Sequence, residues 1–179
     1  MTDLTQPHEL SDEQLQDVLV ELEISVGGRP AGTMQLEFWP QVAPATVRNF
    51  TRYVAEGFYD GKIFHRVISG FMIQGGCPQG SGMGSGPHGN IPGEFSADAQ
   101  YSHHRGVLSM ARGPARDSAS CQFFICHTHV PQLDGDYAAF GRLVTGEEAL
   151  DAVAGVKTGM QDRPAEECKI ESAKLISRI

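Results

Sequence analysis

A chain of 179 residues with 40% hydrophobic content has the length and apolar mass for one domain around one core. Its formal net charge of −8 excludes general nucleic-acid binding, which needs clustered Lys and Arg against phosphates, and argues equally against docking on an anionic membrane. Glycine (21) and proline (10) are plentiful, so the expected fold is rich in turns.

Met1-Thr2-Asp3-Leu4-Thr5-Gln6-Pro7-His8 has no basic start followed by an apolar run, so no secretory leader is expected there. No window of the sequence is long and apolar enough for a membrane span. Cys77, Cys121, Cys126 and Cys168 are too few and too irregularly spaced for a disulfide framework. Four reduced thiols in the cytoplasm are the expectation. Residues 1–16 are polar and acidic and read as an N-terminal extension that frays, with Ser11-Asp12-Glu13-Gln14 able to open one helical turn. The domain is expected to occupy residues 17–179.

Val18, Val20, Leu22 and Ile24 alternate with less apolar neighbours, Gly27-Gly28 makes a turn, and Met34, Leu36 and Phe38 alternate again. This is a β-hairpin with one buried face. Ala43, Val47, Phe50 and Val54 then recur at helical spacing, with Pro44 in the first turn and Gly57 as a stop. A second helix is expected from Thr145, where Thr145-x-x-Glu148 fits a capping box, to Gly155, with Ala149, Leu150 and Val153 inward. Short apolar runs at 63–68, 71–74, 106–111, 122–126, 138–143 and 168–177 read as strands. Residues 75–93 hold eight glycines with Pro78, Pro87 and Pro92, a long loop of the kind that carries function. Many short strands with two separated helices predict a barrel or sandwich capped by helices.

Phe64, Arg66 and Ile68 share one face of a predicted strand, which sets a guanidinium between two large apolar side chains. By pattern alone this is an edge arginine whose head reaches water. The same pattern also describes a cation beside an apolar pocket. The segment continues as Ser69-Gly70-Phe71-Met72-Ile73-Gln74-Gly75-Gly76, and Phe64 to Gly76 closely resembles the signature of the cyclophilin family. Gly106-Val107-Leu108-Ser109-Met110-Ala111-Arg112, Ser120-Cys121-Gln122-Phe123-Phe124-Ile125, and Leu133-Asp134-Gly135 leading into Phe140-Gly141 match in order. So do Ala43-Pro44-x-Thr46-x-x-Asn49-Phe50 and Asp162-Arg163-Pro164. The likeness spans about residues 18–177, and Gly76-Cys77-Pro78-Gln79-Gly80 and Met110-Ala111-Arg112 look like bacterial members.

The resemblance implies a mainly β fold, a closed eight-stranded antiparallel barrel capped by two α-helices, with the substrate groove on its outer surface. It implies peptidyl-prolyl cis–trans isomerase (rotamase) activity on proline-containing peptides and on unfolded or partly folded proteins, a chaperone-like aid to protein folding, with no cofactor and no metal. Arg66 takes the catalytic position. Phe71, Met72, Phe124 and Leu133 line the proline pocket, although pattern alone would make all four core residues. Gln74 and Gln122 position Arg66 and the substrate backbone. Ala111 and Arg112 border the groove, Arg112 mainly through its backbone, and Gly82 flanks the neighbouring subsite. Gln132 stands where many eukaryotic members carry tryptophan, so cyclosporin binding is expected to be weak. Tyr137 stands where they carry histidine, its ring still able to edge the pocket. A monomer is expected, since neither a coiled coil nor a spare apolar stripe is present.

Other motifs carry less. Cys126-His127-Thr128-His129, with Cys121 and His103-His104 nearby, has poor metal spacing, because His127 and His129 share a strand face that Cys126 does not. Gly84-Ser85-Gly86-Pro87-His88-Gly89 fits G-x-G-x-x-G but runs into turn sequence, not a helix. Asn49-Phe50-Thr51 is a glycosylation sequon inside a predicted helix. Ser109 and Ser120 lack a nucleophile-elbow sequence or a recognisable Ser–His–Asp order. A binding module that holds proline segments without catalysis is the main competing reading, and the intact Arg66 set favours the enzyme.

Overall fold

The alternation at the N-terminal end of the domain becomes a hairpin in a computed structural model that describes residues 2–178. Met1 and Ile179, the outer ends of the expected extension and domain, lie outside the described residues. Strands β1 (Val18–Val26) and β2 (Arg29–Phe38) pair antiparallel around Gly27 and Gly28, which adopt φ of +58° and +79°, a turn conformation costly for other residues. The remaining strands are β3 (Phe64–Ile68), β4 (Met72–Gly75), β5 (Val107–Met110), β6 (Phe123–Cys126), β7 (Ala139–Thr145) and β8 (Cys168–Ser177). Among the described residues they form one antiparallel sheet of eight in the order β3-β4-β6-β5-β7-β2-β1-β8.

Full closure is the first expectation to be corrected. β3 and β8 are the ends of the ladder, joined by the single bridge Ile63–Lys169 and by backbone bonds from Gly61 N to Ile170 O and from Ile170 N to Lys62 O. The sheet is therefore a curled half-barrel. The cause is local, because turn backbone, with Gly57 and Gly61 at positive φ, runs up to β3 and leaves little extended chain to pair with β8.

Two helices were expected; three are present among the described residues, α1 (Asp12–Gln16), α2 (Pro44–Ala55) and α3 (Glu147–Ala154). The capping box expected at Thr145 does not form. Thr145 is the last residue of β7, and Gly146 at φ +103° begins α3 instead, where an added Cβ would lie 2.4 Å from Thr33 O. A working capping box occurs earlier, between Ser11 and Gln14 of α1. The expected fraying is not seen there: Leu10 and Leu15 are buried in the main core, and Arg48 Nη2 donates to both Leu10 O and Asp12 Oδ1 at 2.8 Å. At α2 the N-terminal amides of Ala45 and Thr46 and the Thr46 hydroxyl all donate to the Glu94 carboxylate, a cap supplied from a distant loop.

Alternation across the sheet produces two apolar clusters. The inner one contains Phe38, Phe50, Tyr59, Phe123 and Phe140, with Phe50 and Phe123 edge-to-face at 5.3 Å. The outer one contains Trp39, Met72, Val107, Phe124, Cys126 and Ala139. Phe123 belongs to the first and Phe124 to the second.

Candidate active site

A bulge in β3 decides where Arg66 points. Phe64 pairs with Gly75 and Arg66 with Gln74, so His65 is one residue too many and the alternation slips. Phe64 consequently turns into the inner core, while Arg66 and Ile68 stay outside. The expectation that all three share a face is corrected by that inserted residue.

Arg66 stands half-buried on the outer surface and donates from Nη1 to Gln74 Oε1 at 3.2 Å. Gln74 Nε2 donates to Gln122 Oε1 at 3.1 Å, and Gln122 Nε2 donates to Gly82 O at 3.0 Å and Gly84 O at 2.9 Å. This run fixes which end of each amide carries oxygen and so presents an acceptor to the guanidinium. None of the salt bridges among the described residues involves Arg66, so its charge is not neutralised by a carboxylate.

Beside the guanidinium lies a cavity of about 170 Å³, lined by Arg66, Phe71, Met72, Gln74, Ala111, Arg112, Phe124, Leu133 and Tyr137. Phe71 enters from the tight turn between β3 and β4, which Gly70 closes at φ +76°. Met72 (2% exposed) and Phe124 (5% exposed) form its floor, Leu133 and Tyr137 a wall. Gly82 and Gln122 lie outside this cavity. They line a second depression, of about 490 Å³, that shares Gln74, Ala111 and Arg112 with the first. The structure thus brings together every expected site residue, in two adjoining hollows.

The Arg112 side chain has work of its own. It donates to Asp136 O from Nε (3.0 Å) and Nη2 (2.7 Å) and lies 4.8 Å over the Tyr137 ring, pinning the wall of the cleft. The glycine-rich stretch that follows β4 is held by many bonds, including Gly86 N to Ser120 Oγ and Ile91 N to Ala119 O. Inside it, Cys77 Sγ accepts from Gly82 N and Gly84 N at 3.3 Å each. Burial pushes that thiol up, yet these hydrogen bonds bring it down to about 7, whereas burial raises Cys121 and Cys168 to about 11 and Cys126 to about 12. All four cysteines are buried and free. Among the described residues no three His, Cys, Asp or Glu are placed to hold a metal ion. His127 Nδ1 instead accepts from Gly70 N, and His129 meets Ser102 Oγ.

Two buried histidines give the fold an acid limit. Burial lowers the His65 pKa, helped by the charges of Arg163 and Arg66, and burial also lowers that of His103 against the partial opposition of Asp134. Below ~6.5 the unfolded chain takes up protons that the folded chain refuses, so stability falls as pH drops from there. The Tm is expected to decline as pH falls from 7 to 5.5. His65→Asn, whose Nδ1 has no partner to lose, should flatten the decline; a Tm that stays level down to pH 5 contradicts this account.

Sequence reading missed His103 as more than a metal candidate, and it missed Glu94. Neither had a local signal, since their partners Asp134 and Thr46 are distant in the chain.

Comparisons with known proteins point to one family. A family model described as "Cyclophilin type peptidyl-prolyl cis-trans isomerase/CLD" matches residues 19–175. A "Peptidyl-prolyl cis-trans isomerase" of Synechococcus elongatus is 46% identical over 128 residues, 72% of this chain and 84% of that protein. The Schizosaccharomyces pombe "Peptidyl-prolyl cis-trans isomerase ppi1" is 42% identical over 159 residues, 86% of this chain and 96% of that protein. A crystal structure of a Cryptosporidium parvum cyclophilin type peptidyl-prolyl cis-trans isomerase, in the presence of the dipeptide Ala-Pro, superposes with a TM-score of 0.81 at 31% identity, covering 89% of this chain and 99% of that one.

Proposed function

The chain belongs to the cyclophilin-type peptidyl-prolyl cis–trans isomerase family and is an isomerase of that type, and from this premise we propose that Arg66 is its catalytic residue. The observation that carries the assignment is an unneutralised guanidinium, anchored by Gln74, at the lip of an apolar cavity.

An Xaa-Pro bond turns over unaided in tens to hundreds of seconds, across a barrier near ~20 kcal/mol set by amide resonance. Twisting the C–N bond breaks that resonance and returns a lone pair to the prolyl nitrogen. A donor aimed at the nitrogen therefore binds the twisted state better than either planar isomer, which is the condition for catalysis. Arginine suits the task because it stays charged and offers several N–H groups: one is spent on Gln74, and others remain for the substrate. A gain of ~10⁵-fold requires about 7 kcal/mol, and one preorganised donor supplies roughly 3–4 kcal/mol. The rest falls to the pocket. Phe71, Met72, Phe124 and Leu133 grip the ring with Tyr137 at its edge, while Gln74, Gln122, Ala111 and Arg112 hold the backbone and Gly82 flanks the next subsite.

The substrates in this reading are proline-containing peptides and unfolded or partly folded proteins, and the role is folding assistance by a monomer in the cytoplasm, without nucleic-acid or membrane partners. A net charge of −8 and four free thiols support it, and among the described residues no helix is long and apolar enough to cross a membrane. Residues 1–16 are assigned as an extension and 17–179 as the isomerase domain. The test is exchange spectroscopy on a short Xaa-Pro peptide. Catalytic amounts of protein should raise the cis–trans exchange rate well above the uncatalysed value; a peptide that binds in the cleft with unchanged exchange would instead mark a binding module.

A further inference from the structure

Beneath the cleft, three residues scattered in sequence meet in a row. His103 Nδ1 lies 2.7 Å from Asp134 Oδ1, and His103 Nε2 lies 2.9 Å from Ser109 Oγ. The His103 backbone N–H adds a 2.9 Å bond to the same carboxylate oxygen, and the Ser102 hydroxyl donates to the other. An ionised carboxylate only accepts, so the proton sits on Nδ1 and Nε2 accepts from Ser109. The composition is that of a hydrolytic triad, but Ser109 is 0% exposed and His103 1%, so neither reaches a substrate.

What the row does reach is the back of the pocket. The His103 ring lies nearly parallel to Phe124, 6.0 Å between centroids and 16° between planes, while Tyr137 meets the same phenyl ring edge-on at 5.9 Å. Leu133, the facing wall, is bonded in the chain to Asp134. We propose that His103 is a positioning residue that sets the depth of the proline pocket: it backs the Phe124 ring, its bond to Asp134 fixes the Leu133 wall, and the pocket is thereby sized for a five-membered ring. The role holds only if the cleft receives proline, as proposed above.

Without the imidazole, Phe124 can settle inward and admit a larger ring. The experiment compares kcat/KM on a prolyl peptide and on its six-membered pipecolyl counterpart. His103→Ala should shift the prolyl-to-pipecolyl ratio by about fivefold towards pipecolyl, mostly through a higher KM for the prolyl peptide, since one methylene in a fitted pocket is worth roughly tenfold or more. His103→Phe, which keeps a flat ring behind Phe124, should restore most of the ratio. Ser109→Ala, which frees one side of the imidazole, should move it about twofold in the same direction. A general loss of stability would lower both rates together and leave their ratio alone. An unchanged ratio in folded His103→Ala, or in Ser109→Ala if the first variant does not fold, overturns the proposal. A wild-type protein inactive on the prolyl peptide would overturn the proposed function instead.

Discussion

Arg66→Ala lowers kcat for Xaa-Pro exchange by roughly 10²–10³-fold, the usual effect of removing one preorganised donor from a developing charge. KM rises by much less, because the apolar cavity survives the change: Met72, Phe124 and Leu133 are held by packing and not by the guanidinium. Such a split marks an interaction made mainly in the transition state. Arg66→Lys should recover only part of the rate. It keeps the charge but loses the fork that serves Gln74 and a substrate together. The measurement is line-shape or exchange spectroscopy on the same peptide for the three proteins, and equal kcat in wild type and Arg66→Ala would remove the arginine from the mechanism.

Two neighbouring phenylalanines should answer opposite questions. Phe123 is 0% exposed and touches Phe50, Tyr59 and Phe64 edge-on in the inner core. Phe123→Ala should cost about 3–5 kcal/mol and lower Tm by roughly 10 °C, with KM little changed in whatever protein stays folded. Phe124 is one residue on and faces the other way, onto the floor of the cleft. Phe124→Ala should raise KM for the prolyl peptide at least about tenfold, since a fully buried aromatic contact is worth some 1.5–3 kcal/mol. Thermal denaturation and peptide kinetics on both variants decide the matter. Phe123→Ala with the larger KM defect would mean that the inner and outer faces have been exchanged.

Strand positions were readable because their alternation is local. Each of the runs at 63–68, 71–74, 106–111, 122–126, 138–143 and 168–177 overlaps a strand, with ends that agree to within two residues: β4 runs on to Gly75 and β7 to Thr145. The failures have a common physical origin. The slip at His65 depends on how β4 pairs with β3, and nothing in Phe64-His65-Arg66 announces it. At Thr145 a genuine capping pattern lost to sheet pairing with Gln35, and Gly146 took over the turn. The N-terminal stretch reads as a solvated tail because Leu4, Leu10 and Leu15 among polar residues make no periodic stripe, yet Leu10 and Leu15 are buried and Leu4 packs against the same core. The same reasoning applies to the site. Arg66 was legible through resemblance, while the pattern alone left it an edge cation. Ser109, His103 and Asp134 join only when β5 and the turn before β7 fold together.

The plug formed by Leu10 and Leu15 also reaches beyond its own segment. The stretch shared with the family begins at residue 19, so both leucines precede it. A shortened protein cut to the shared stretch would uncover an oily trough alongside the second helix and leave Arg48 with the Pro44 carbonyl but without Leu10 O and Asp12 Oδ1. Such a minimal version should therefore be the stickier molecule, prone to self-association, even though every residue around the guanidinium is kept.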